Sequence, residues 1–163
     1  LSNPPFAGKK EQSAEQKASV KPLFSKIQGG GTLDFVAAWF ITAAKYMRDS
    51  PHTQSAFVST NSITQGEQVN ALWGPLLAEG IKIHFAHQTF RWSNEARGKA
   101  AVHCVIIGFS RTVPSTRRLF TYSDLNAIPR ERMCSNINPY LVEAADIIVT
   151  RRTTPICPIP VIN

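Results

Sequence analysis

No stretch of this 163-residue chain is apolar for long enough to cross a bilayer, and its start has neither a basic n-region nor an apolar h-region. A membrane partner is therefore not expected, and the cytoplasm is the expected compartment. Cysteine is scarce: Cys104, Cys134 and Cys157 are widely spaced and odd in number, which suits reduced thiols better than a disulfide framework. No Cys-x-x-Cys spacing offers a zinc clamp, and His84 and His87 lie three apart in an alternating stretch, so a strand would point them to opposite faces. No metal is expected. Glycine clusters only at Gly29-Gly30-Gly31, with no hydrophobic strand before it, so the cluster reads as a hinge and the glycine-rich turn that cradles a nucleotide-like cofactor is missing. Internal repeats are absent. Charged residues make up only 18% of the chain but are unbalanced, and the formal +7 fits a polyanionic partner such as nucleic acid while also occurring in many soluble proteins. With 43% hydrophobic residues, the chain can bury the core of one globular domain.

What is present begins at once, in Leu1-Ser2-Asn3-Pro4-Pro5-Phe6. Consecutive prolines fix φ near −65° and remove two backbone donors, and Pro4 biases Asn3 towards an extended conformation. The carbonyls of Asn3 and Pro4 are left as outward acceptors. An amine conjugated to a base ring has a delocalised lone pair; two acceptors on its N–H bonds would draw it towards a tetrahedral, nucleophilic geometry. Phe6 could stack on the ring, an interaction worth about 1–3 kcal/mol per base. Asn3, Pro4, Pro5 and Phe6 are the candidate catalytic residues.

Residues 7–32 scatter lysines, Lys9 and Lys10 first, among polar residues with little apolar content before Val20. This predicts a long loop, either a basic flap on nucleic-acid phosphate or a plain solvated connector. Over 33–48 the apolar positions Val36, Trp39, Phe40, Ala43 and Met47 recur at helical spacing, with Thr32 as N-cap and Asp34 in the first turn. Residues 56–63 read as a strand that turns from apolar to polar, so Ser59, Thr60, Asn61 and Ser62 either line a pocket at its carboxyl end or simply end it. Thr64-Gln65-Gly66-Glu67 has capping-box spacing before a second helix, kinked at Pro75 and stopped by Gly80.

Residues 81–88 alternate, with Ile81, Ile83, Phe85 and His87 on one face, as in a half-exposed strand near a sheet edge. A loop over 89–99 then interleaves Phe90 and Trp92 with Arg91, Arg97 and Lys99, the equipment a flipped base and its flanking phosphates need; the alternative is that both rings pack into the core. Residues 101–109 are apolar on both faces, a central strand, with His103 as a core histidine and Cys104 as a small hydrophobe. Beyond Arg111, prolines and arginines leave room for short elements only, and 112–163 is expected to be irregular.

Asn3-Pro4-Pro5-Phe6 resembles the catalytic motif of class I S-adenosylmethionine-dependent amino methyltransferases. Leu33-Asp34-Phe35-Val36-Ala37-Ala38-Trp39, Phe57-Val58-Ser59-Thr60-Asn61-Ser62-Ile63, Phe90-Arg91-Trp92-Ser93-Asn94-Glu95-Ala96 and Val102-His103-Cys104-Val105-Ile106-Ile107-Gly108-Phe109 continue the likeness in order. Together they are similar to the DNA adenine methyltransferase region of single-chain type IIL restriction-modification enzymes. The resemblance implies an α/β, partial Rossmann-like fold, a mixed sheet with helices whose last strand, 101–109, runs antiparallel to its neighbours. It implies methyl transfer from S-adenosylmethionine to the exocyclic amine of an adenine flipped from double-stranded DNA, with Phe6 on one face of the base and Phe90, or else Trp92, on the other. Asp34 falls in a motif near the cofactor, although helix capping explains it as well. Lys9, Lys10, Arg91, Arg97 and Lys99 are the expected DNA contacts. Residues 1–111 would be the catalytic, target-base half of the domain, and 112–163 would lead towards a missing target-recognition domain. The expectation is a fragment that is inactive alone, with most of the cofactor site upstream. A methyltransferase acting on RNA or a protein glutamine, and a non-catalytic nucleic-acid-binding module, remain as alternatives.

Overall fold

The computed structural model describes residues 1–92, 102–112 and 114–150. In chain order the elements are α1 (Ala14–Phe24), α2 (Ala37–Asp49), β1 (Gln54–Thr60), α3 (Gly66–Ala78), β2 (Lys82–Trp92), β3 (Val102–Ser110), β4 (Arg117–Thr121) and β5 (Arg130–Cys134), with short 3-10 helices at Gly30–Thr32 and Asn61–Thr64. The strands form one sheet in the order β1-β3-β2-β4-β5. β3 lies between β1 and β2 and is antiparallel to both, as expected of the last strand, while β2 and β4 are parallel and β5 is antiparallel to β4. The result is the mixed α/β sheet that the sequence implied.

Several expectations give way. The supposed loop over 7–32 contains α1, closed by a capping box in which the Ser13 hydroxyl accepts from the Gln16 amide and the Gln16 side chain accepts from the Ser13 amide. Its apolar contribution is small, chiefly Val20 and Phe24, which is why periodicity concealed it. α2 starts only at Ala37, so Thr32 caps nothing there; it ends a 3-10 helix and its hydroxyl donates to the Gly29 carbonyl at 2.8 Å. Asp34 likewise precedes the helix rather than occupying its first turn. The capping box at Thr64 does not form, because the Thr64 hydroxyl donates to the Asn61 carbonyl and α3 begins after Gln65. Gly80, at φ +82°, terminates α3 as foreseen.

β2 is interior rather than at an edge, since β4 covers its outer side. The 112–163 segment is not uniformly irregular: it supplies both β4 and β5, so the sheet runs past residue 111. Bulges between Ile83 and Phe85 and between His87 and Phe90 shift the alternation, so Ile83 and Ala86 are buried while Phe85 and His87 are half-buried. Gly108 makes this possible, because a Cβ there would lie 2.2 Å from the Phe85 ring.

The core is an aromatic cluster joining both layers. Phe40 of α2 meets Phe57 of β1 at 5.2 Å, Trp73 of α3 at 5.7 Å and Phe109 of β3 at 5.2 Å between ring centroids. The Trp73 indole donates to the Ile63 carbonyl at 3.0 Å, satisfying its polar tip inside the core. Phe40→Ala, which empties the centre of this cluster, is expected to cost about 3–5 kcal/mol, read as a lowered midpoint in thermal or denaturant unfolding.

Candidate active site

The first residues are a strand's end laid beside β1. Ser2 forms a parallel bridge with Phe57: its amide donates to the Ala56 carbonyl at 3.0 Å, and its carbonyl accepts from the Val58 amide at 3.1 Å. One row therefore crosses the sheet through Ser2, Phe57, Ile107, Ala86, Leu119 and Arg132. Asn3 and its successors then advance towards the carboxyl end of β1. Pro4 is buried, Asn3 and Pro5 are exposed, and Phe6 packs half-buried against the core. The pinned pair of prolines thus stands at the rim with the Asn3 side open.

Phe90 comes to the same rim. Thr60 of β1 pairs with Cys104 of β3, and Cys104 pairs with Phe90 of β2. The strand carrying Asn3 and the one carrying Phe90 are thus three inter-strand spacings apart, about 14 Å. Phe90 and Trp92 belong to β2 rather than to a loop, and neither is buried in the core: Phe90 is half-buried and Trp92 exposed. Arg91 is exposed on the same strand end and pairs with His103. His103 is itself exposed, contrary to its expected core role, because β3 begins at the open end of the sheet. Cys104 is the small buried hydrophobe foreseen, its thiol pushed up to about 11 by burial. Arg97, Lys99 and Cys157 lie outside the described residues.

Three side chains that sequence reading did not assign to the site support Phe90. Its ring stacks on Tyr122 at 5.5 Å; the Tyr122 hydroxyl shares a 2.8 Å hydrogen bond with His87 Nδ1, and His87 lies flat on Phe120 at 4.2 Å with planes 3° apart. Burial lowers the His87 pKa, with the Arg118 cation adding to the effect, and burial raises that of the Tyr122 phenol. The β-favouring run Leu119-Phe120-Thr121-Tyr122 was the available signal, hidden among arginines and prolines.

The other support is Asp34. Its buried carboxylate accepts from the Lys9 amide at 3.1 Å, from the Thr60 hydroxyl at 3.3 Å and from the Ser62 hydroxyl, while Thr60 and Ser62 are also 2.8 Å from each other. Of the polar residues expected to end the strand, Thr60 and Ser62 turn to this carboxylate, and Asn61 and Ser62 lie in the 3-10 helix after β1 rather than in the strand. Phe35 donates to the Ala7 carbonyl at 2.9 Å and the Gln12 side chain to the Leu33 carbonyl at 3.3 Å, so the chain after Phe6 is strapped to residues 33–35. With both oxygens accepting from its own chain, Asp34 positions the segments on either side of the motif. Lys9 and Lys10 sit exposed in the turn that follows the motif. Among the described residues, no group of three His, Cys, Asp or Glu could hold a metal ion, and no helix is long and apolar enough to cross a membrane.

Residues 1–121 match the family model of the MmeI DNA-methyltransferase domain. The chain belongs to this family. It is 42% identical over 158 residues to DNA methyltransferase A of Bacillus subtilis (strain 168), covering 97% of this chain and 17% of that protein. It is also similar to a solved structure of the type IIL restriction-modification enzyme MmeI in complex with DNA, with a TM-score of 0.92 and 49% identity over 98% of this chain and 21% of the other. The chain therefore spans about a fifth of the length of these relatives. The MmeI-domain match ends at the last residue of β4, which accords with a sheet that continues past residue 111.

Asp34→Ala in this MmeI-family domain would leave two hydroxyls and an amide without their acceptor. The expected cost is about 1–3 kcal/mol, seen as a lower unfolding midpoint, with Asp34→Asn losing less because its carbonyl still accepts. A second expectation concerns acid. His84 and His87 both have pKa values lowered from the ordinary 6.5, by burial first and then by Arg117 and Arg118 respectively. Below 6.5 the unfolded chain binds protons that the folded one does not, so stability is retained above that pH and falls as pH drops through the folded values. Unfolding midpoints measured against pH should show a shallower acid-side decline in His87→Phe.

Proposed function

We propose that this chain is the target-base half of an S-adenosylmethionine-dependent DNA adenine N6-methyltransferase within a longer restriction-modification protein. The observation that carries the reading is the shared rim: Asn3-Pro4-Pro5-Phe6 leaves its strand at the end of the sheet where Phe90 and Trp92 stand half-buried and exposed. Family membership supports DNA as the substrate over RNA or a protein glutamine, and MmeI, the structural relative, was solved with DNA bound.

In this reading an adenine leaves the duplex at a cost of a few kcal/mol and enters between Phe6 and Phe90. The side-chain carbonyl of Asn3 and the backbone carbonyl of Pro4 accept its two amino protons and draw the nitrogen lone pair out of conjugation. Pro4 and Pro5 hold those acceptors in place before the reaction, so little reorganisation is needed as charge develops. Phe90 is braced on one side by Tyr122, itself held by His87 and Phe120, which leaves its other face for the base in this reading. S-adenosylmethionine supplies an electron-poor methyl carbon. Asp34 lies near the motif but accepts from its own chain, and no glycine-rich turn follows a hydrophobic strand in the sequence, so little of the donor's binding site falls within this chain. Segments beyond this chain would hold most of the donor's site, and the chain alone is expected to be inactive.

The same reasoning assigns Lys9, Lys10 and Arg91, which are exposed around the rim, to DNA phosphate. Arg97 and Lys99 are proposed as further contacts on sequence grounds. Target recognition would lie in other parts of the protein, with the residues after β5 leading towards it, and a DNA-modifying enzyme of this kind would work in the cytoplasm. The test is transfer of labelled methyl from S-adenosylmethionine to adenine-containing duplex DNA by the full-length protein that carries this chain. Label should appear in N6-methyladenine, and Asn3→Ala should lower the turnover on the order of 100-fold or more. Normal turnover in that variant would remove Asn3 from the mechanism.

A further inference from the structure

α1 brings together a group of charges that the motif chemistry does not use. Lys17 and Lys21 are one helical turn apart, and with Lys9 and Lys10 from the preceding turn they line a single cavity of about 570 Å³. Its inner surface is apolar, formed by Val20 and Phe24 of the helix and by Leu33. None of the four ammonium groups has an ion-pair partner among the described residues, and Glu11 and Glu15, the acidic residues of this segment, do not line the cavity. Four exposed cations gathered around an apolar floor make a local positive field that favours an anionic ligand.

The cavity is built rather than incidental. Gly30 lets the chain fold back against the end of α1, since a Cβ there would lie 2.1 Å from the Phe24 carbonyl oxygen. The capping box fixes the start of the helix, and Lys9 is anchored through its amide to Asp34, the carboxylate that also gathers the carboxyl end of β1. The lysine-walled cavity therefore adjoins the rim that carries Asn3.

We infer that this cavity is a second DNA-backbone seat, in which Lys17 and Lys21, together with Lys9 and Lys10, take successive phosphates of one strand while the sugar faces rest on Val20 and Phe24. The inference rests on DNA as the substrate and adds to it a site on α1. Side chains at i and i+4 are about 6 Å apart at Cβ, comparable with the separation of neighbouring phosphates on a strand, so each lysine can serve its own phosphate. An apolar floor beneath a cationic wall suits the alternating sugar and phosphate of a nucleic-acid strand better than a small inorganic anion, which would leave the floor uncovered. Such a seat holds the strand beside the rim without reading its sequence.

The experiment is equilibrium binding of the full-length protein to a mixed-sequence DNA duplex over a salt series, since each neutralised phosphate contributes about −0.9 to the slope of log K against log salt. Lys17→Gln/Lys21→Gln should reduce that slope by about 1–2 and weaken binding roughly 10-fold at moderate salt. Gly31→Glu is a second probe, because Gly31 lines the cavity and a Cβ added there would meet nothing within 4 Å, so the new carboxylate enters without a clash. It should weaken binding while Gly31→Ala does not. Lys45→Gln, on an exposed position of α2 outside the cavity, should leave the slope unchanged. An unaltered slope in the double variant would overturn the inference, whether because another part of the protein covers the cavity or because only small anions enter it. Equal losses in Lys45→Gln would overturn it too, by reducing the effect to bulk charge. Failure of methyl transfer in the unaltered protein would strike the enzymatic reading instead, and the binding slopes would still report on the cavity.

Discussion

A buried carboxylate without donors is among the costliest groups a fold can contain, and Asp34 escapes that cost by collecting donors from two remote parts of the chain. The Lys9 amide comes from the turn after the proline motif, and the Thr60 and Ser62 hydroxyls come from the end of β1 and the 3-10 helix beyond it. The two segments that flank the candidate site are therefore tied through one side chain. Removing any donor leaves the others to compensate, while removing the carboxylate releases all three. The position of the motif loop, and of the lysines that follow it, depends on this group more than on any local preference of the loop.

The sheet provides the second constraint. Inserting β3 antiparallel between β1 and β2 makes the latter two run in the same direction, so their carboxyl ends open on one side. The Ser2 bridge adds the motif's own strand in parallel with β1, at the same end. Asn3, Phe6 and the aromatic residues of β2 are thereby brought to one end of the sheet. The brace behind Phe90 comes from β4, whose parallel pairing with β2 sets the Phe120 ring on His87. The aromatic cluster around Phe40 holds the helices against this frame and takes no part in the rim.

How much of this the sequence disclosed depended on the strength of each local pattern. α2 and α3 were legible because Phe40, Met47, Leu72 and Trp73 recur on one face and are fully buried. β3 was legible because its middle residues are apolar on both faces, as a covered strand requires. α1 was not, since Val20 and Phe24 are too few to mark a face among lysines and a proline. β5 was not, because all of its residues but Cys134 are exposed, and missing β4 and β5 made β2 look like an edge. The bulges in β2 defeated a strict alternation, and His103 was misread because apolar neighbours say nothing about where a strand's end meets solvent.

The sequence by itself determined the local chemistry: two prolines stiffen the acceptors of Asn3 and Pro4 whatever surrounds them, and the ordered motifs marked the family and its mixed sheet. Only the tertiary structure decided the partnerships. Asp34 could have capped a helix from its sequence position, but the chain's fold brought it to Lys9, Thr60 and Ser62. Phe90 could have lain in a loop or the core, but strand register put it at the rim against Tyr122. The physical reason is the range of the forces: backbone stiffness and periodic burial act within a few residues, whereas a buried charge and a stacked ring are satisfied by whatever the sheet brings near, however distant in the chain.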